Sequence, residues 1–356
     1  MSPAVRSPGG FSRWLEGQWE RLTPWHLLLL PLAVLFGLLA ALRRSFYRWG
    51  LLPITRLSVP VIVVGNIAVG GTGKTPLVIA LARLLREAGY QPGIISRGHG
   101  GRQRQPAPVG PEADPAEVGD EPVLLARRAG CPVWVGRARG KVAQAMLAAH
   151  PEVDVLLSDD GLQHYALARD VEIAVVDAQR WLGNGQLLPA GPLREPGWRL
   201  QTVDCVVING WLASAPLKRN EFTMRLVGDL LYNLRNPLLK ARPEVFAGQT
   251  VWAMAGIGNP QRFFDHLRRL GLRIVPRAFA DHHPFTPADL AQAGEAPIVM
   301  TEKDAVKCAA FAGDNVWVLP VVAELDPRLG PAVLDRLAQR KANAAGHTES
   351  GNANAP

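Results

Sequence analysis

A buried strand, a glycine-rich loop and a helix are predicted one after another between Val59 and Glu87, and this succession constrains the fold most strongly. Val59–Val64 (VPVIVV) carries no polar side chain, which is typical of a strand covered on both faces of a parallel sheet. Gly70–Thr75 (GGTGKT) follows, and apolar residues then recur at helical spacing. Glycines let backbone N–H groups converge on phosphate oxygens at the positive end of a helix. The segment therefore predicts an α/β fold with a phosphate-binding loop after its first strand.

The residue types in this loop have separate chemical uses. Lys74 would reach the β- and γ-phosphates of a nucleotide, and the Thr75 hydroxyl would ligate Mg²⁺. Ala68 stands where the GxxxxGK[ST] pattern has its first glycine, so the match is not strict. A guanine site needs Asn-Lys-x-Asp, and the nearest candidate, Thr301–Asp304 (TEKD), lacks that spacing, so we expect ATP. The predicted nucleotide-binding residues are Ala68, Val69, Gly70, Gly71, Thr72, Gly73, Lys74 and Thr75.

A second apolar run ends in two adjacent acids, at Val153–His164 (VDVLLSDDGLQH). This resembles the Walker B arrangement, which places a carboxylate beside the Mg²⁺ of a nucleotide. We assign Asp159 to the metal and Asp160 to catalysis, although the residues alone leave the reverse assignment open. A solvated acidic turn at a strand end is the alternative. His164 is expected to be structural.

The rest of the chain alternates short apolar runs with helical patterns, which predicts a P-loop NTPase-like, mostly parallel sheet. Glu221–Asn233 (EFTMRLVGDLLYN) breaks the alternation and predicts two short strands around Gly228–Asp229. We interpret it as a β-hairpin linker to a second, smaller α/β domain. The predicted units are a membrane-associated helix (1–50), the P-loop core (51–220), the two-stranded linker (221–240), the smaller domain (241–340) and a disordered tail (341–356).

Leu22–Leu42 contains no charged side chain and is long enough to cross the roughly 30 Å hydrocarbon core of a bilayer. Pro31 weakens this prediction because a proline kinks a helix. A buried helix of a soluble domain is the alternative, and the segment leaves spanning and interfacial helices undistinguished. The basic residues that follow place the catalytic part on the cytoplasmic side; they are Arg43, Arg44, Arg48 and Arg56.

The composition narrows the class of partner. The chain has 356 residues and a net charge of +8, with three cysteines and no CxxC pair, which disfavours a disulfide scaffold or a cysteine-rich zinc module. No basic helix or aromatic stacking pattern accompanies the charge, so nucleic acid is not expected as a partner. Together with the predicted apolar anchor, the net positive charge favours binding to a membrane that contains anionic lipid.

Several blocks in a fixed order give the chain a family resemblance. It resembles the tetraacyldisaccharide 4'-kinase family of lipid A biosynthesis from about residue 10 to residue 335. His99 departs from the family, which usually has Tyr there. The blocks are Gly65–Pro76 (GNIAVGGTGKTP), Ser96–Gly101 (SRGHGG), Gly119–Pro122 (GDEP), Ser158–His164 (SDDGLQH), Leu188–Glu195 (LPAGPLRE), Ala253–Pro260 (AMAGIGNP), Asp281–His282 and Thr301–Lys307 (TEKDAVK).

The resemblance implies that ATP and Mg²⁺ are used to phosphorylate the 4'-hydroxyl of a tetraacyldisaccharide 1-phosphate, which forms lipid IVA at the cytoplasmic face of the inner membrane. It implies Asp120 as the general base, with His282 of the second domain as its partner. It also implies Arg194 and Glu195 as site residues, Arg194 holding an anionic group, and Glu121 as a further metal ligand. No protein partner is evident.

Alternatives to these assignments remain at this stage. Asp120 directly precedes a helical pattern, so it could cap that helix, and both roles could hold together. The His282–His283 pair lacks an evident third zinc ligand. A membrane-tethered P-loop ATPase that acts as a conformational switch, without a lipid product, is the alternative function. A soluble small-molecule kinase conflicts with the anchor.

Overall fold

The computed structural model describes Trp19, residues 23–211 and residues 217–352, with side chains described up to residue 340. Most of the first 22 residues, which the sequence analysis places in the membrane-associated unit, lie outside the described residues. The helices are α1 Trp25–Arg48, α2 Lys74–Glu87, α3 Pro115–Val118, α4 Asp120–Arg128, α5 Arg139–Ala149, α6 Pro260–Arg269, α7 Pro287–Ala291, α8 Glu302–Cys308 and α9 Leu329–Asn352.

The larger domain is built on a nine-stranded sheet in the order β15-β8-β7-β6-β1-β5-β2-β4-β3. Only the two edge strands, β3 and β15, run antiparallel to their neighbours. Its strands are β1 Val61–Gly65, β2 Pro92–Ser96, β3 Ala107–Pro108, β4 Val133–Val135, β5 Val155–Asp159, β6 Val171–Asp177, β7 Cys205–Asn209, β8 Glu221–Val227 and β15 Val322–Leu325. The central strand β1 is buried throughout, as its unbroken aliphatic run predicts.

The smaller domain has a six-stranded sheet in the order β10-β9-β14-β13-β11-β12, in which β9 and β10 are the antiparallel members. Its strands are β9 Leu231–Asn233, β10 Lys240–Ala241, β11 Thr250–Ala255, β12 Arg273–Ala278, β13 Ile298–Thr301 and β14 Val316–Leu319. Two separate apolar clusters form its interior, one containing Phe264 and Leu267 and the other Met300 and Val318. Each domain therefore has its own core.

The link between the domains differs from the predicted hairpin. Both predicted strands exist, but β8 belongs to the larger sheet and β9 to the smaller one, and they do not pair with each other. The antiparallel partners are β15 for β8 and β14 for β9, so the chain crosses between the domains twice, side by side. At the crossing, a Cβ atom on Gly228 would overlap the Pro320 carbonyl oxygen. The linker is thus a two-stranded ribbon whose second strand comes from about 90 residues later.

The last part of the chain returns to the larger domain. β15 lies at the edge of its sheet, and Leu329, Val333 and Leu337 of α9 are buried in its core. Residues 322–340, assigned above to the smaller domain, are therefore part of the larger one. The helix continues to Asn352, into the segment expected to be disordered. This segment contains alanines, the residues with the highest helix propensity, which extend a helix already anchored by its first turns.

Helix α1 lies against the larger domain along its length. At its start, the Asn184 amide donates to His26 Nε2 (3.0 Å). At its end, the Arg44 guanidinium lies 4.6 Å from the Trp198 ring centre. His26 and Ala33 are buried, whereas most leucines on the other faces are exposed. The helix therefore covers the protein with one narrow stripe and presents apolar surface elsewhere.

Candidate active site in the cleft between the domains

The glycine-rich loop joins β1 to α2 at the carboxyl edge of the larger sheet. Gly73 has a φ of +89°, a left-handed conformation that favours glycine, and α2 begins at the next residue. Buried Asn66 holds the loop from inside: its amide donates to the Gly70 carbonyl (3.2 Å) and its Oδ1 accepts from Lys74 Nζ (3.2 Å). The Lys74 ammonium is thereby held at the mouth of the loop, 3.5 Å from Asp160 Oδ1.

The first two predicted binding residues have a different setting. Val69 N–H donates to the Pro192 carbonyl (2.8 Å), and Ala68 bridges to Leu193. Their backbone therefore braces the loop against the segment before Arg194. The backbone groups at Gly70–Thr75 remain the ones arranged around the start of α2.

Two arginines, Arg180 of the larger domain and Arg262 of the smaller one, connect the two domains beside this loop. Arg180 Nη2 donates to the Gly71 carbonyl (2.7 Å) and its Nη1 to the Gly258 carbonyl of the smaller domain (3.1 Å). Arg262 of α6 pairs with Asp177 (3.1 Å) and donates to the Asn209 carbonyl (2.7 Å). Asp177 and Asn209 end β6 and β7, where the carboxyl ends of parallel strands form the ligand edge of the sheet. The shape of the loop is therefore tied to the position of the smaller domain.

Asp159 is the last residue of β5, beside β1, and Asp160 follows it, so the fold brings both acids to the loop. Asp159 is buried and accepts a hydrogen bond from Ser96 Oγ (3.3 Å), while its Oδ1 has no partner. Asp160 faces two cations, Lys74 and Arg194, each 3.5 Å away. The adjacent carboxylates therefore point into different environments.

Electrostatics separates the two acids further. Burial, and then the charges of Glu121 and Asp160, raise the pKa of Asp159 to about 7. For Asp160 burial acts in the same direction, but Lys74, Arg194 and Arg139 outweigh it and lower the pKa. At Asp159 the positive charges of Lys74 and Arg139 are outweighed by burial and by the neighbouring acids, whereas at Asp160 the positive charges outweigh burial.

This arrangement fits a magnesium ion. Within residues 23–211 and 217–352, no three Asp, Glu, His or Cys side chains cluster closely enough to hold a metal by themselves. Mg²⁺ in phosphoryl-transfer sites commonly takes one or two carboxylates together with phosphate oxygens and water. The unpartnered Oδ1 of Asp159 and the proximity of Glu121, which raises its pKa, are what such an ion would satisfy.

Neutralising Asp159 should separate stability from activity. The pKa of this carboxyl is about 7 against an ordinary 3.8, so the metal-free protein loses stability as pH rises between these values. Asp159→Asn removes that loss. We expect the variant to be more stable than wild type near pH 8 by on the order of 4 kcal/mol, although its metal-dependent activity is abolished. Thermal unfolding in a chelating buffer, repeated from about pH 4 to pH 8, measures this; a pH-independent difference would contradict the assignment.

Asp120 and His282 meet across the domain interface. Asp120 begins α4 of the larger domain, and His282 follows β12 of the smaller one with a φ of +60°. His282 Nδ1 lies 3.0 and 3.1 Å from the two carboxylate oxygens of Asp120. Asp120 Oδ1 also accepts from the Glu121 N–H (2.9 Å), so it stabilises the first turn of its own helix. The N-cap of α4 is Gly119, so the expectation that Asp120 could cap the helix is wrong, and Asp120 instead places a negative charge in the first turn.

Two lysines of α8 complete this part of the site, and the sequence analysis quotes their motif without assigning them a role. Lys303 Nζ lies 2.9 Å from Glu121 Oε1 and 3.3 Å from His282 Nε2. Lys307 Nζ lies 3.6 Å from Asp120 Oδ2. Since an ammonium can only donate, His282 Nε2 accepts from Lys303, which leaves Nδ1–H to donate to Asp120.

These contacts keep Asp120 ionised. Burial alone would raise its pKa, but the hydrogen bond from His282 and the charges of Lys303 and Lys307 lower it to about 2. The pKa of His282 is raised: burial opposes its protonation, and the hydrogen bond to Asp120 outweighs burial. Asp120 is therefore a carboxylate at neutral pH, able to accept a hydrogen bond from a hydroxyl group.

Glu195 is placed differently from its neighbour Arg194. Its buried carboxylate accepts from Gln163 (2.7 Å), Tyr165 (2.6 Å) and Arg199 (3.2 Å). These three donors occupy it fully, so Glu195 fixes the segment that carries Arg194. The fold brings Lys74, Thr75, Asp159, Asp160 and Arg194 to the loop, and Asp120, Glu121 and His282 to the domain interface.

Comparison with known proteins gives consistent matches. The family profile described as tetraacyldisaccharide-1-P 4'-kinase (LpxK) matches residues 25–338. A tetraacyldisaccharide 4'-kinase of Methylobacillus flagellatus is 51% identical over 327 residues, covering 92% of this chain and 96% of the relative. One from Azoarcus sp. (strain BH72) is 54% identical over 321 residues, covering 90% and 94%.

A solved structure also matches. The crystal structure described as the "apo" form of LpxK from Aquifex aeolicus in complex with ATP superposes with a TM-score of 0.71 at 28% identity. The match covers 88% of this chain and 99% of the other. The α/β architecture predicted from the sequence is confirmed by this similarity.

Proposed function

The chain belongs to the tetraacyldisaccharide-1-P 4'-kinase family, and from this membership and the cleft geometry we propose that it transfers the γ-phosphoryl group of ATP to the 4'-hydroxyl of a tetraacyldisaccharide 1-phosphate. The product is lipid IVA, an intermediate in lipid A biosynthesis. The observation that carries the proposal is the Asp120–His282 pair, because a hydroxyl acceptor needs a proton acceptor.

The phosphate end of ATP binds at Gly70–Thr75. Backbone N–H groups at the start of α2 and the Lys74 ammonium stabilise the charge of the transferring group, and Arg194 adds a further cation. Asp159, Glu121 and the Thr75 hydroxyl are the residues that would hold Mg²⁺, which when bound neutralises phosphate charge.

The acceptor hydroxyl is oriented by Asp120. As its oxygen bonds to the γ-phosphorus, the bond from that phosphorus to the β–γ bridging oxygen breaks, and ADP leaves with the electron pair. The hydroxyl proton passes to the Asp120 carboxylate. A pKa of about 2 makes Asp120 a weak base. This suffices in a loose transition state, where little charge builds on the nucleophile and the proton leaves late. His282 holds the carboxylate in position through Nδ1–H.

Helix α1 supports work at a membrane surface. It is long and apolar enough to cross a bilayer by length and composition, and Leu27 and Leu28 are 71% and 68% exposed. Its contacts with the larger domain extend from His26 to Tyr47, which a helix buried across a bilayer would lose. We infer from these contacts that the helix lies in the membrane interface with its leucines in lipid. In the proposed function this is the cytoplasmic face of the inner membrane.

Replacing three exposed leucines, Leu28, Leu35 and Leu39, by Gln should release the protein from membranes without unfolding it, because these side chains face away from the domain. Burying a leucine contributes about 2 kcal/mol, so losing three should weaken vesicle binding by more than 100-fold. Sedimentation with phospholipid vesicles measures this. The matched control replaces exposed Leu238, Leu239 and Val245 of the smaller domain. Equal release by both triple variants would show that α1 is not the anchor.

The function is tested by incubating the protein with γ-labelled ATP, Mg²⁺ and detergent-dispersed tetraacyldisaccharide 1-phosphate. Label in the lipid fraction, removed by a phosphomonoesterase, is the expected result. Release of labelled inorganic phosphate with no labelled lipid would instead indicate the conformational-switch ATPase.

A further inference from the structure

Three consecutive backbone carbonyl groups of the phosphate loop each accept a hydrogen bond from a side chain outside its glycine run. The three donors come from the ends of different strands, β1, β6 and β7, which the parallel sheet brings to one edge. The contacts run from Asn66 to the Gly70 carbonyl (3.2 Å), from Arg180 to the Gly71 carbonyl (2.7 Å) and from Asn209 to the Thr72 carbonyl (2.9 Å).

These contacts set the direction of the N–H groups in the loop. In a trans peptide group the C=O and the following N–H point to opposite sides of the chain, so a carbonyl held from one side turns the next N–H to the other. The N–H groups directed in this way are those of Gly71, Thr72 and Gly73. Among the described residues, none of the three has a hydrogen-bond acceptor. Successive N–H groups that are oriented but not bonded suit the oxygens of a polyphosphate.

The middle carbonyl differs from the other two because its donor also reaches the smaller domain. Arg180 holds the Gly71 carbonyl through Nη2 and donates through Nη1 to the Gly258 carbonyl (3.1 Å). Gly258 is itself packed on the loop, where a Cβ atom would overlap the Gly71 nitrogen. One guanidinium and one glycine therefore join the phosphate loop to the smaller domain.

We propose that Asn66, Arg180 and Asn209 are positioning residues for the phosphate groups of ATP, and that contact with Gly258 keeps Arg180 in its position. The assignment rests on the proposed function, in which the loop binds ATP. The hydrogen bonds from Asn66 and Asn209 lie within the larger domain and do not need the smaller one. Arg180 is exposed, and Gly258 is its second anchor. The smaller domain thus increases ATP affinity through the Gly71–Thr72 peptide group.

The role of Arg180 is tested by calorimetric titration of the full-length protein with MgATP, in detergent and without acceptor lipid. Arg180→Met removes both donors, and we expect the Kd for ATP to rise about tenfold because a charged hydrogen bond to the loop is lost. Arg180→Lys, which can still donate to the Gly71 carbonyl, should recover part of this affinity. KM for the acceptor lipid and the unfolding temperature without nucleotide should stay unchanged. The control is Arg83→Met, an exposed position on α2 that bonds to Glu87 (2.7 Å).

Gly258→Ala tests the same contact from the smaller domain. The φ of Gly258 lies outside the left-handed region, so alanine fits its backbone, but the methyl group would push Gly71 away. We expect Gly258→Ala to weaken ATP binding about as much as Arg180→Met does. The double variant should bind no more weakly than the weaker single variant, because both changes break one contact. The control is Gly110→Ala, where a Cβ meets no atom within 4 Å.

Asn209→Ala should also weaken ATP binding, and its loss should add to that of Gly258→Ala because the Asn209 bond does not involve the smaller domain. Additive losses for Arg180→Met and Gly258→Ala would overturn the dependence on the smaller domain. Wild-type affinity in Gly258→Ala beside a loss in Arg180→Met would mean that Arg180 binds the nucleotide directly, and unchanged affinity in Arg180→Met would overturn its positioning role. Wild-type protein that binds ATP but phosphorylates no lipid would refute the proposed function instead, and the ATP affinities would still decide this proposal.

Discussion

Asp120→Asn should lower kcat by about 10²–10⁴-fold, the range expected when a general base is removed, and leave KM for ATP nearly unchanged. The amide keeps an oxygen for the Glu121 N–H and a similar volume next to His282, so the start of α4 should remain intact. Initial rates of lipid phosphorylation, with ATP and lipid varied in turn, measure both constants.

Two further variants distinguish the proton-acceptor role of Asp120 from its effect on the stability of the first turn of α4. Asp120→Ser retains a side chain that can stabilise the first turn of α4 but has no carboxylate, and Asp120→Ala retains neither. If the proton-acceptor role dominates, all three variants are equally slow, and only Asp120→Ala unfolds at a lower temperature. Activity that follows thermal stability across the three would mean that the carboxylate matters only for α4.

Lys74→Ala should reduce turnover by at least about 10³-fold, because it removes a preorganised cation from the transferring phosphoryl group. Lys74 also offsets the negative charge of Asp160 in the nucleotide-free protein. Lys74→Ala should therefore lower the stability of the nucleotide-free protein at neutral pH, where Asp160 is ionised, and this difference should disappear as the pH falls and Asp160 is protonated. Lys74→Arg, which keeps the charge, should not show this loss.

Nucleotide binding gives the second measurement for this position. Lys74→Ala is expected to bind ATP more weakly than wild type and to keep the wild-type circular dichroism spectrum. Lys74→Arg is the control, because it keeps the positive charge but has a side chain of different length and shape. A purified Lys74→Ala protein with a tenth or more of wild-type turnover would refute the phosphate-loop assignment.

Features carried by neighbouring residues were predictable from the sequence. A pattern of about a dozen residues or fewer predicts each of three features: the aliphatic strand β1, the glycine-rich loop before α2 and the acids at the end of β5. The fold class and the phosphate loop could therefore be predicted from local sequence. The apolar run of α1 is likewise local, and it is long and apolar enough to cross a bilayer by length and composition.

Features that join distant segments were not predictable. The partner strand of β8 comes from residues 322–325, and no local signal distinguishes that pairing from a hairpin within Glu221–Asn233. Lys303 and Lys307 lie in a short helix of ordinary charge pattern, and only the approach of the two domains places them beside Glu121 and Asp120. Arg180 donates to the Gly71 carbonyl of the loop, and Asn66 accepts a hydrogen bond from Lys74. The spacing of residues in the sequence does not predict such contacts.

The paired crossing at Gly228 and Pro320 determines how the smaller domain can move. Both strands enter and leave this domain at one place, so bending of the ribbon is its main free motion, and sliding or detachment would break β-sheet pairing. The smaller domain carries residues that contact the larger domain in the cleft, among them His282, Lys303, Arg262 and Gly258. If the ribbon bends, these contacts with the larger domain would form and break as a set, and one rotation would change both the phosphate loop and the His282–Asp120 pair.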